Sequence, residues 1–293
     1  MGCAAALCDA SRMTTGACLC GALRYEVEGP LPTLMHCHCS MCRKHHGAPF
    51  ATFVEARAHD FRWLQGEASA LEYPSSAARV RRFCEVCGSV APTRLGDRVL
   101  LPAGNLLGEL GEAGGLHMFV GSKAPWHIIS DGLPQHDGAP PGWTVEEVVR
   151  PAEAPPDGAA IHGACLCGGV SFSVSGAPGR WLQCHCSRCR RGRSAAHGSN
   201  AFFPAAQFAW RTGRELVRKY GPPDAQRFAV SFCVRCGGAA PVERDNVPFV
   251  LVPASLFDGD PGARPQAHIH VASKAPWYTF GDGLPQFAEL PPS

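Results

Sequence analysis

The sequence has no long apolar run and little charge of either sign. Only 18% of its 293 residues are charged, 45% are hydrophobic, and the net charge is +2. No apolar stretch approaches the roughly 18 residues that a membrane span needs. No basic stripe of the kind that binds nucleic acid is present, and no long amphipathic helix can be found. We therefore expect a globular protein without a membrane or nucleic-acid partner.

The N-terminus lacks a charged segment followed by an apolar core, which is the pattern of a secretory signal. Without export, the sixteen cysteines indicate metal binding rather than a disulfide framework. Fourteen of them lie in close clusters, which favours the same interpretation. The sequence thus predicts a cytoplasmic metalloprotein, with Cys3 and Cys8 as free thiols in an N-terminal arm.

One cysteine-rich motif occurs twice in the chain. The stretch Cys37-His38-Cys39-Ser40-Met41-Cys42-Arg43 returns as Cys184-His185-Cys186-Ser187-Arg188-Cys189-Arg190. Four other matches keep the same order: Cys18-Leu19-Cys20-Gly21 with Cys165-Leu166-Cys167-Gly168, Phe83-Cys84-x-x-Cys87-Gly88 with Phe232-Cys233-x-x-Cys236-Gly237, Ser122-Lys123-Ala124-Pro125-Trp126 with Ser273-Lys274-Ala275-Pro276-Trp277, and Asp131-Gly132-Leu133-Pro134-Gln135 with Asp282-Gly283-Leu284-Pro285-Gln286. Ordered matches of this kind indicate a duplicated domain. We predict domains over residues 14–137 and 161–290, joined by a Pro/Gly-rich linker over residues 138–160.

Each repeat is predicted to consist of short strands. Leu23, Tyr25 and Val27 alternate with polar residues, which is typical of a half-buried strand. Further strands are predicted over residues 50–55, 79–83, 98–101 and 117–120, and over residues 170–174, 201–203, 227–232, 248–252 and 268–271. A turn of helix is expected within residues 144–149. The fold class is all-β, with two zinc-stapled domains in tandem.

Two thiolate pairs in each repeat are predicted to form a closed metal site. Two knuckle-like pairs that are distant in sequence make a Cys₄ zinc site, which stabilises the fold and leaves no position for a substrate. The predicted ligands are Cys18, Cys20, Cys84 and Cys87 in the first repeat and Cys165, Cys167, Cys233 and Cys236 in the second.

The remaining cysteines of each motif are predicted to hold a second zinc ion. These are Cys37, Cys39 and Cys42 in the first repeat and Cys184, Cys186 and Cys189 in the second. Three protein ligands leave a fourth tetrahedral position, where an incoming thiol would lose its proton and become a nucleophile or leaving group. We therefore expect the catalytic chemistry at these six cysteines, with up to four zinc ions per chain. His38 and His185 are flanked by ligands on both sides, so their rings are expected to point away.

Charged and titratable residues follow both motifs. Arg43 and Arg190 suit a thiol compound that carries carboxylates, although they could equally offset the negative charge of the metal site. His45 and His46 in the first repeat, and His197 with Asn200 in the second, are candidates for moving protons or contacting substrate. Trp126 and Trp277 are interpreted as core residues.

On these motifs the chain resembles the glutathione-dependent formaldehyde-activating enzyme family, which shares its domain with centromere protein V. The resemblance implies two tandem Mss4-like (β-tent) domains, a structural Cys₄ zinc and a more labile zinc on the three close cysteines. It also implies a carbon–sulfur lyase or synthase that acts on S-hydroxymethylglutathione or on a conjugate with a larger organic group. We further expect that the two repeats can pack as a pseudo-dimer.

Two other functional classes remain open from the sequence. The first is a non-catalytic, zinc-scaffolded binding module for a protein or a thiol. The second is a redox protein whose thiols form disulfides on oxidation and release zinc.

Overall fold

The computed structural model describes residues 12–108, 110, 114–145 and 160–291. In the first repeat the strands are β1 (Met13–Ala17), β2 (Arg24–Glu28), β3 (Thr33–Cys37), β4 (Ala51–Arg57), β5 (Phe61–Gln65), β6 (Ala70–Ser76), β7 (Arg79–Cys84), β8 (Thr93–Leu95), β9 (Arg98–Pro102), β10 (Leu106–Leu107) and β11 (Gly114–Met118). In the second repeat they are β12 (Ala160–Ala164), β13 (Ser171–Ser175), β14 (Arg180–Cys184), β15 (Gly198–Pro204), β16 (Phe208–Thr212), β17 (Val217–Tyr220), β18 (Val230–Cys233), β19 (Ala239–Ala240), β20 (Phe249–Pro253) and β21 (Ala267–Ile269). The predicted all-β class, with two tandem domains that each carry cysteine clusters, is confirmed.

The described residues also form two short α-helices, α1 (Ser40–His46) and α2 (Ser187–Arg193). Each begins directly after the second cysteine of the repeated motif, whose Sγ accepts a hydrogen bond from the backbone of the third cysteine. Sequence analysis did not predict these helices, because seven residues are too few to display a helical period. Helix α1 ends at Gly47, whose φ of 66° is a conformation that glycine adopts freely.

The main sheet of the first repeat separates a core from a second, more open face. Its order is β11-β3-β4-β9-β8, with β11 and β3 parallel and the other neighbours antiparallel. Side chains alternate across the sheet, so Leu34, Val54 and Leu101 are buried in one hydrophobic core. Met35, Phe53 and Leu100 occupy the opposite face and line a cavity. The second repeat has the corresponding order β21-β14-β15-β20.

Two further sheets in each repeat carry the closed cysteine clusters. In the first repeat these are β10-β1-β2-β5 and the hairpin β6-β7, and in the second they are β12-β13-β16 and β17-β18-β19. Cys18 and Cys20 follow β1, and Cys84 ends β7, so the two pairs of thiols meet between sheets. Cys165 and Cys233 take the same places in the second repeat.

The two repeats are in direct contact around their helices. The ring Nδ1 of His46 lies 3.1 Å from the backbone oxygens of both Arg193 and Ser194, and therefore donates to them. The hydroxyl of Ser89 donates to the backbone oxygen of Arg191 at 2.9 Å. A Cβ placed on Gly88 would lie 2.4 Å from Phe232. The contact between the repeats is thus tight enough to exclude one methyl group.

Each repeat sends the tryptophan of its Ser-Lys-Ala-Pro-Trp motif toward the other repeat. Trp126 belongs to the hydrophobic core of the second repeat, together with Trp181 and Phe203. Trp277 packs against the first repeat's core and lies 6.3 Å from His36, measured between ring centroids. Trp126 is thus a core residue, but of the other repeat, whereas Trp277 is partly buried and packs against the other repeat's core.

Part of the predicted linker lies outside the described residues. This applies to residues 146–159, which include most of the turn of helix expected within 144–149, and also to Cys3 and Cys8 in the N-terminal arm. The domain limits 14–137 and 161–290 stay a prediction.

Candidate metal centres and active site

The four-cysteine clusters have the geometry of closed metal sites. Within each cluster all four sulfur atoms lie within 4.8 Å of one another. The first cluster consists of Cys18, Cys20, Cys84 and Cys87, and the second of Cys165, Cys167, Cys233 and Cys236. In the first cluster the Sγ–Sγ distances include 3.4, 3.6 and 3.8 Å. Zn–S bonds of about 2.3 Å in a tetrahedron separate sulfurs by about 3.8 Å, so these thiols fit a zinc ion without rearrangement.

Backbone N–H groups turn toward the sulfurs of the closed clusters. The amide of Leu23 donates to Cys18 Sγ and that of Val170 donates to Cys165 Sγ, both at 3.3 Å. The amide of Gly238 donates to Cys236 Sγ at 3.4 Å. Such bonds stabilise thiolates rather than thiols. The environment is therefore built for charged sulfur.

The three-cysteine clusters also converge. The sulfurs of Cys37, Cys39 and Cys42 lie within 4.8 Å of one another, as do those of Cys184, Cys186 and Cys189. In each cluster the first thiol ends a strand, and the third lies in the first turn of the following helix. The donor set offers three soft thiolates, which fits zinc with one position left over.

Arg81 is a candidate functional residue that sequence analysis missed. Its guanidinium nitrogens lie 3.6 and 3.7 Å from Cys42 Sγ. Hydrogen bonds from Cys37 and Cys39, together with the charge of Arg81, hold the pKa of Cys42 well below its usual range. The alternation of side chains along β7 could have indicated Arg81, because it lies on the same face of the strand as the buried Phe83.

A cavity of about 230 Å³ opens onto the first three-cysteine cluster. Its wall includes Cys37, Cys39 and Cys42, the face of the main sheet, and the arginines of β7. His45 also lines it, and neither ring nitrogen of His45 has a hydrogen-bond partner among the described residues. Burial holds the pKa of His45 well below its usual range, so the ring is neutral at pH 7.

The second three-cysteine cluster has different neighbours. In the second repeat Tyr220 of β17 lies opposite Val230 of β18, whereas in the first repeat Tyr73 of β6 lies opposite Arg81 of β7. Asn200 Nδ2 points toward Cys189 Sγ at 4.0 Å. Phe202 and Phe228 pack against the cluster from outside. The thiolates are therefore repeated, but their surroundings are not.

The predicted substrate residues occupy varied positions. Arg43 Nε donates to the backbone oxygen of His38 at 3.2 Å. Arg190 carries a buried Nε, and its pKa is lowered by burial although Cys186 opposes the shift. Asn200 lies beside the second cluster, whereas the ring of His197 is tilted against that of His185, with 4.8 Å between the ring centroids. Lys44 forms an ion pair with Asp258 of the other repeat.

Sequence analysis also missed a buried chain of two histidines and one aspartate in each repeat. His38 Nε2 lies 2.8 Å from His117 Nδ1, and His117 Nε2 lies 2.9 Å from Asp131. His185, His268 and Asp282 repeat this arrangement. Because an ionised aspartate only accepts, His117 Nε2 donates to Asp131, and a neutral His117 ring then accepts at Nδ1 a hydrogen bond from His38 Nε2. The rings between the cysteine ligands are thus held away from the metal clusters.

Comparison with known proteins identifies the family. The family model described as glutathione-dependent formaldehyde-activating enzyme matches residues 13–115 and again residues 160–273. The chain belongs to this family. The double match agrees with the two cysteine-rich repeats, and the predicted resemblance is confirmed.

A solved structure of a Rhodobacter sphaeroides protein is 26% identical, with a TM-score of 0.30, and the match covers 34% of this chain and 98% of that one. No curated protein matches the chain. Within the described residues of this family member, no helix is long and apolar enough to cross a membrane.

Proposed function

We propose that this protein is a zinc-dependent carbon–sulfur lyase or synthase acting on glutathione conjugates, either S-hydroxymethylglutathione or a conjugate with a larger organic group. The observation that carries the proposal is the cavity that opens onto Cys37, Cys39 and Cys42, in a chain whose family is described by glutathione-dependent formaldehyde activation. We place one zinc ion in each of the four cysteine clusters, two structural and two labile, and we place the protein in the cytoplasm.

The labile clusters suit sulfur chemistry. Zinc held by three thiolates would stabilise the substrate's sulfur as a thiolate in the fourth position. This would favour both reactions, because the thiolate is the nucleophile when the carbon–sulfur bond forms and the leaving group when it breaks. The positive charge of Arg81 beside Cys42 offsets part of the negative charge of the thiolates. The cavity lets an organic group lie next to the sulfur.

The reaction requires one proton to move. When a thiol adds to an aldehyde, the sulfur–carbon bond forms, the carbonyl π electrons move to oxygen, and the thiol proton ends on that oxygen. The reverse steps release the aldehyde. His45 lines the cavity with two unpartnered ring nitrogens, so we propose that it carries this proton.

Three further residues are proposed to contact the substrate, and a fourth to position the second motif. Arg43 and Arg190 follow the last cysteine of each cluster and supply positive charge for carboxylates. Asn200 lies at the second cluster, and His197 packs against the ring of His185 and holds that motif in place. We further propose that the two repeats work as one pseudo-dimeric unit, since Trp126 lies in the second repeat's core and Trp277 packs against the first repeat's core.

The test is a double variant that removes one thiolate from each labile cluster. Cys39→Ser with Cys186→Ser should abolish turnover of glutathione conjugates, while circular dichroism shows an unchanged fold. Ser40→Ala with Ser187→Ala is the matched control, because it changes the neighbouring positions but no ligand. Parental turnover by the cysteine double variant would contradict the proposal. Glutathione that is bound and never consumed by the parent would favour a zinc-scaffolded binding module instead.

A further inference from the structure

The cavity of the first repeat has two chemically different parts. Met35, Phe53 and Leu100, from three adjacent strands, form an apolar floor beside the sulfur cluster. Arg79 and Arg81, two residues apart on β7, add positive charge to the wall. Glu55, which also lines the cavity, is paired with Arg98 at 3.4 Å. A ligand in this cavity therefore meets apolar and cationic surface within reach of the same thiolates.

Trp143 completes the apolar part of the wall. It comes from the segment that follows the first repeat, and 40% of its surface is exposed. The exposed part of its indole would lose contact with water if an apolar group lay against it, which is favourable. It is thus available to pack against a ligand that enters the cavity.

The second repeat lacks this combination. Asn200, opposite Leu182, takes the position that Phe53, opposite Met35, has in the first repeat. The second repeat therefore has an amide where the first has an aromatic ring. Val230 takes the place of Arg81, and Phe228, two residues earlier, takes that of Arg79. The two cationic positions of β7 are therefore apolar in the second repeat.

We infer that the first repeat holds the substrate, and that the substrate is an anionic thiol conjugate whose sulfur carries the 1-hydroxyalkyl group of an apolar aldehyde. Breaking the carbon–sulfur bond then returns the hydroxyl proton to sulfur and releases that aldehyde. The inference rests on the proposed function and narrows its substrate. Arg79 and Arg81 face the charged part of the ligand, and Met35, Phe53, Leu100 and Trp143 surround the apolar group. A hydroxymethyl group would leave this surface in contact with water, whereas each buried methylene raises affinity on the order of fourfold.

Binding of inert thioethers to the zinc-loaded full chain tests the inference without any turnover. Isothermal calorimetry would compare S-methylglutathione with S-hexylglutathione. We expect the hexyl compound to bind at least about twentyfold more tightly. Trp143→Ala should reduce that ratio at least about fivefold, whereas Leu107→Ala, an exposed leucine outside the cavity, should leave it unchanged.

Charge variants separate the two parts of the cavity. Arg81→Val, which installs the residue of the second repeat, should weaken both thioethers by a similar factor and preserve the hexyl-to-methyl ratio. Arg81→Lys keeps the charge and should retain most of the affinity, which excludes a misfolded variant. Equal binding of the two thioethers by the parent, or a ratio that survives both Trp143→Ala and Leu100→Ala, would overturn the inference.

Single cysteine variants keep this inference distinct from the proposed function. If Cys39→Ser removes turnover and Cys186→Ser leaves it, both stand. If Cys186→Ser alone removes turnover, the function stands and the assignment to the first repeat is wrong. If the hexyl compound binds selectively but no conjugate is ever consumed, the cavity assignment stands and the enzyme proposal fails.

Discussion

The indole rings of Trp126 and Trp181 lie 5.0 Å apart, measured between centroids, although they come from different repeats. They meet edge to face, a favourable arrangement for aromatic pairs. Trp277 makes the reciprocal contact with the first repeat's core. The cores of the two repeats are therefore completed by exchange, and their stabilities are coupled.

This exchange predicts the effect of truncating one tryptophan. Trp126→Ala should lower the free energy of unfolding by about 3–5 kcal/mol, because it opens a cavity in a core that cannot collapse around it. The loss should appear in the second repeat, although the substitution lies in the first. Urea unfolding followed by circular dichroism measures it. The control is Trp143→Ala at a half-exposed site, and equal effects of the two substitutions would contradict the exchange.

The two kinds of cysteine cluster should differ in what they stabilise. Cys84→Ser breaks a closed four-thiol set and should unfold the first repeat or leave it without metal, because closed sites supply folding energy. Cys39→Ser should leave the fold intact and remove only one labile ion. Zinc content by a chromophoric chelator, with circular dichroism alongside, distinguishes the outcomes. A folded Cys84→Ser protein with full zinc content would show that the closed cluster has no structural role.

The histidine–aspartate chain should control the labile cluster beside it. Asp131→Asn removes the charge that orients His117 and, through it, His38 between two ligands. His38 is not itself a ligand, so its loss of orientation acts on the cluster through the backbone between Cys37 and Cys39, and we place the effect at the lower end of the range for outer contacts to ligands, about 10-fold in metal affinity. We expect the Cys37 cluster to weaken by that factor while the Cys18 cluster keeps its affinity. Competition with a zinc chelator measures both. The exposed Asp137→Asn is the control, and unchanged affinity in Asp131→Asn would refute the coupling.

Buried neutral histidine should make the fold sensitive to acid. Burial, with help from His268, lowers the pKa of His197 from 6.5 to about 3, and the ring packs against His185 and Tyr278. Since the folded pKa lies below the unfolded one, the stability that His197 contributes is complete above pH 6.5 and is lost as the pH falls toward 3. Between pH 7 and pH 5 the loss should be about 2 kcal/mol.

Replacing His197 by phenylalanine, the residue at the equivalent position 50, tests this expectation. His197→Phe should flatten the fall in unfolding free energy between pH 7 and pH 5 by about that amount, as measured by urea titration at several pH values. His59→Phe at an exposed site should leave the slope unchanged. An identical slope in parent and His197→Phe would mean that other groups cause the acid sensitivity.

The duplication, the all-β class and the grouping of fourteen cysteines into four clusters could be predicted from the amino-acid sequence. They could be predicted because the ligands here are thiols at short spacings, and because strand alternation and repeats are visible in the order of residues. The pairing of Cys18 and Cys20 with Cys84 and Cys87 followed from the same chemistry.

The residues that surround those clusters could be identified only from the folded structure. Arg81 reaches Cys42 through the register of β7, which places it in the cavity while its equivalent in the second repeat is Val230. Trp126 and Trp277 looked like ordinary core residues, and only packing showed that each contacts the other repeat's core. His117 and Asp131 join His38 across a parallel strand pair and a turn. These relationships depend on contacts between residues that are distant in the chain, and spacing alone does not record them.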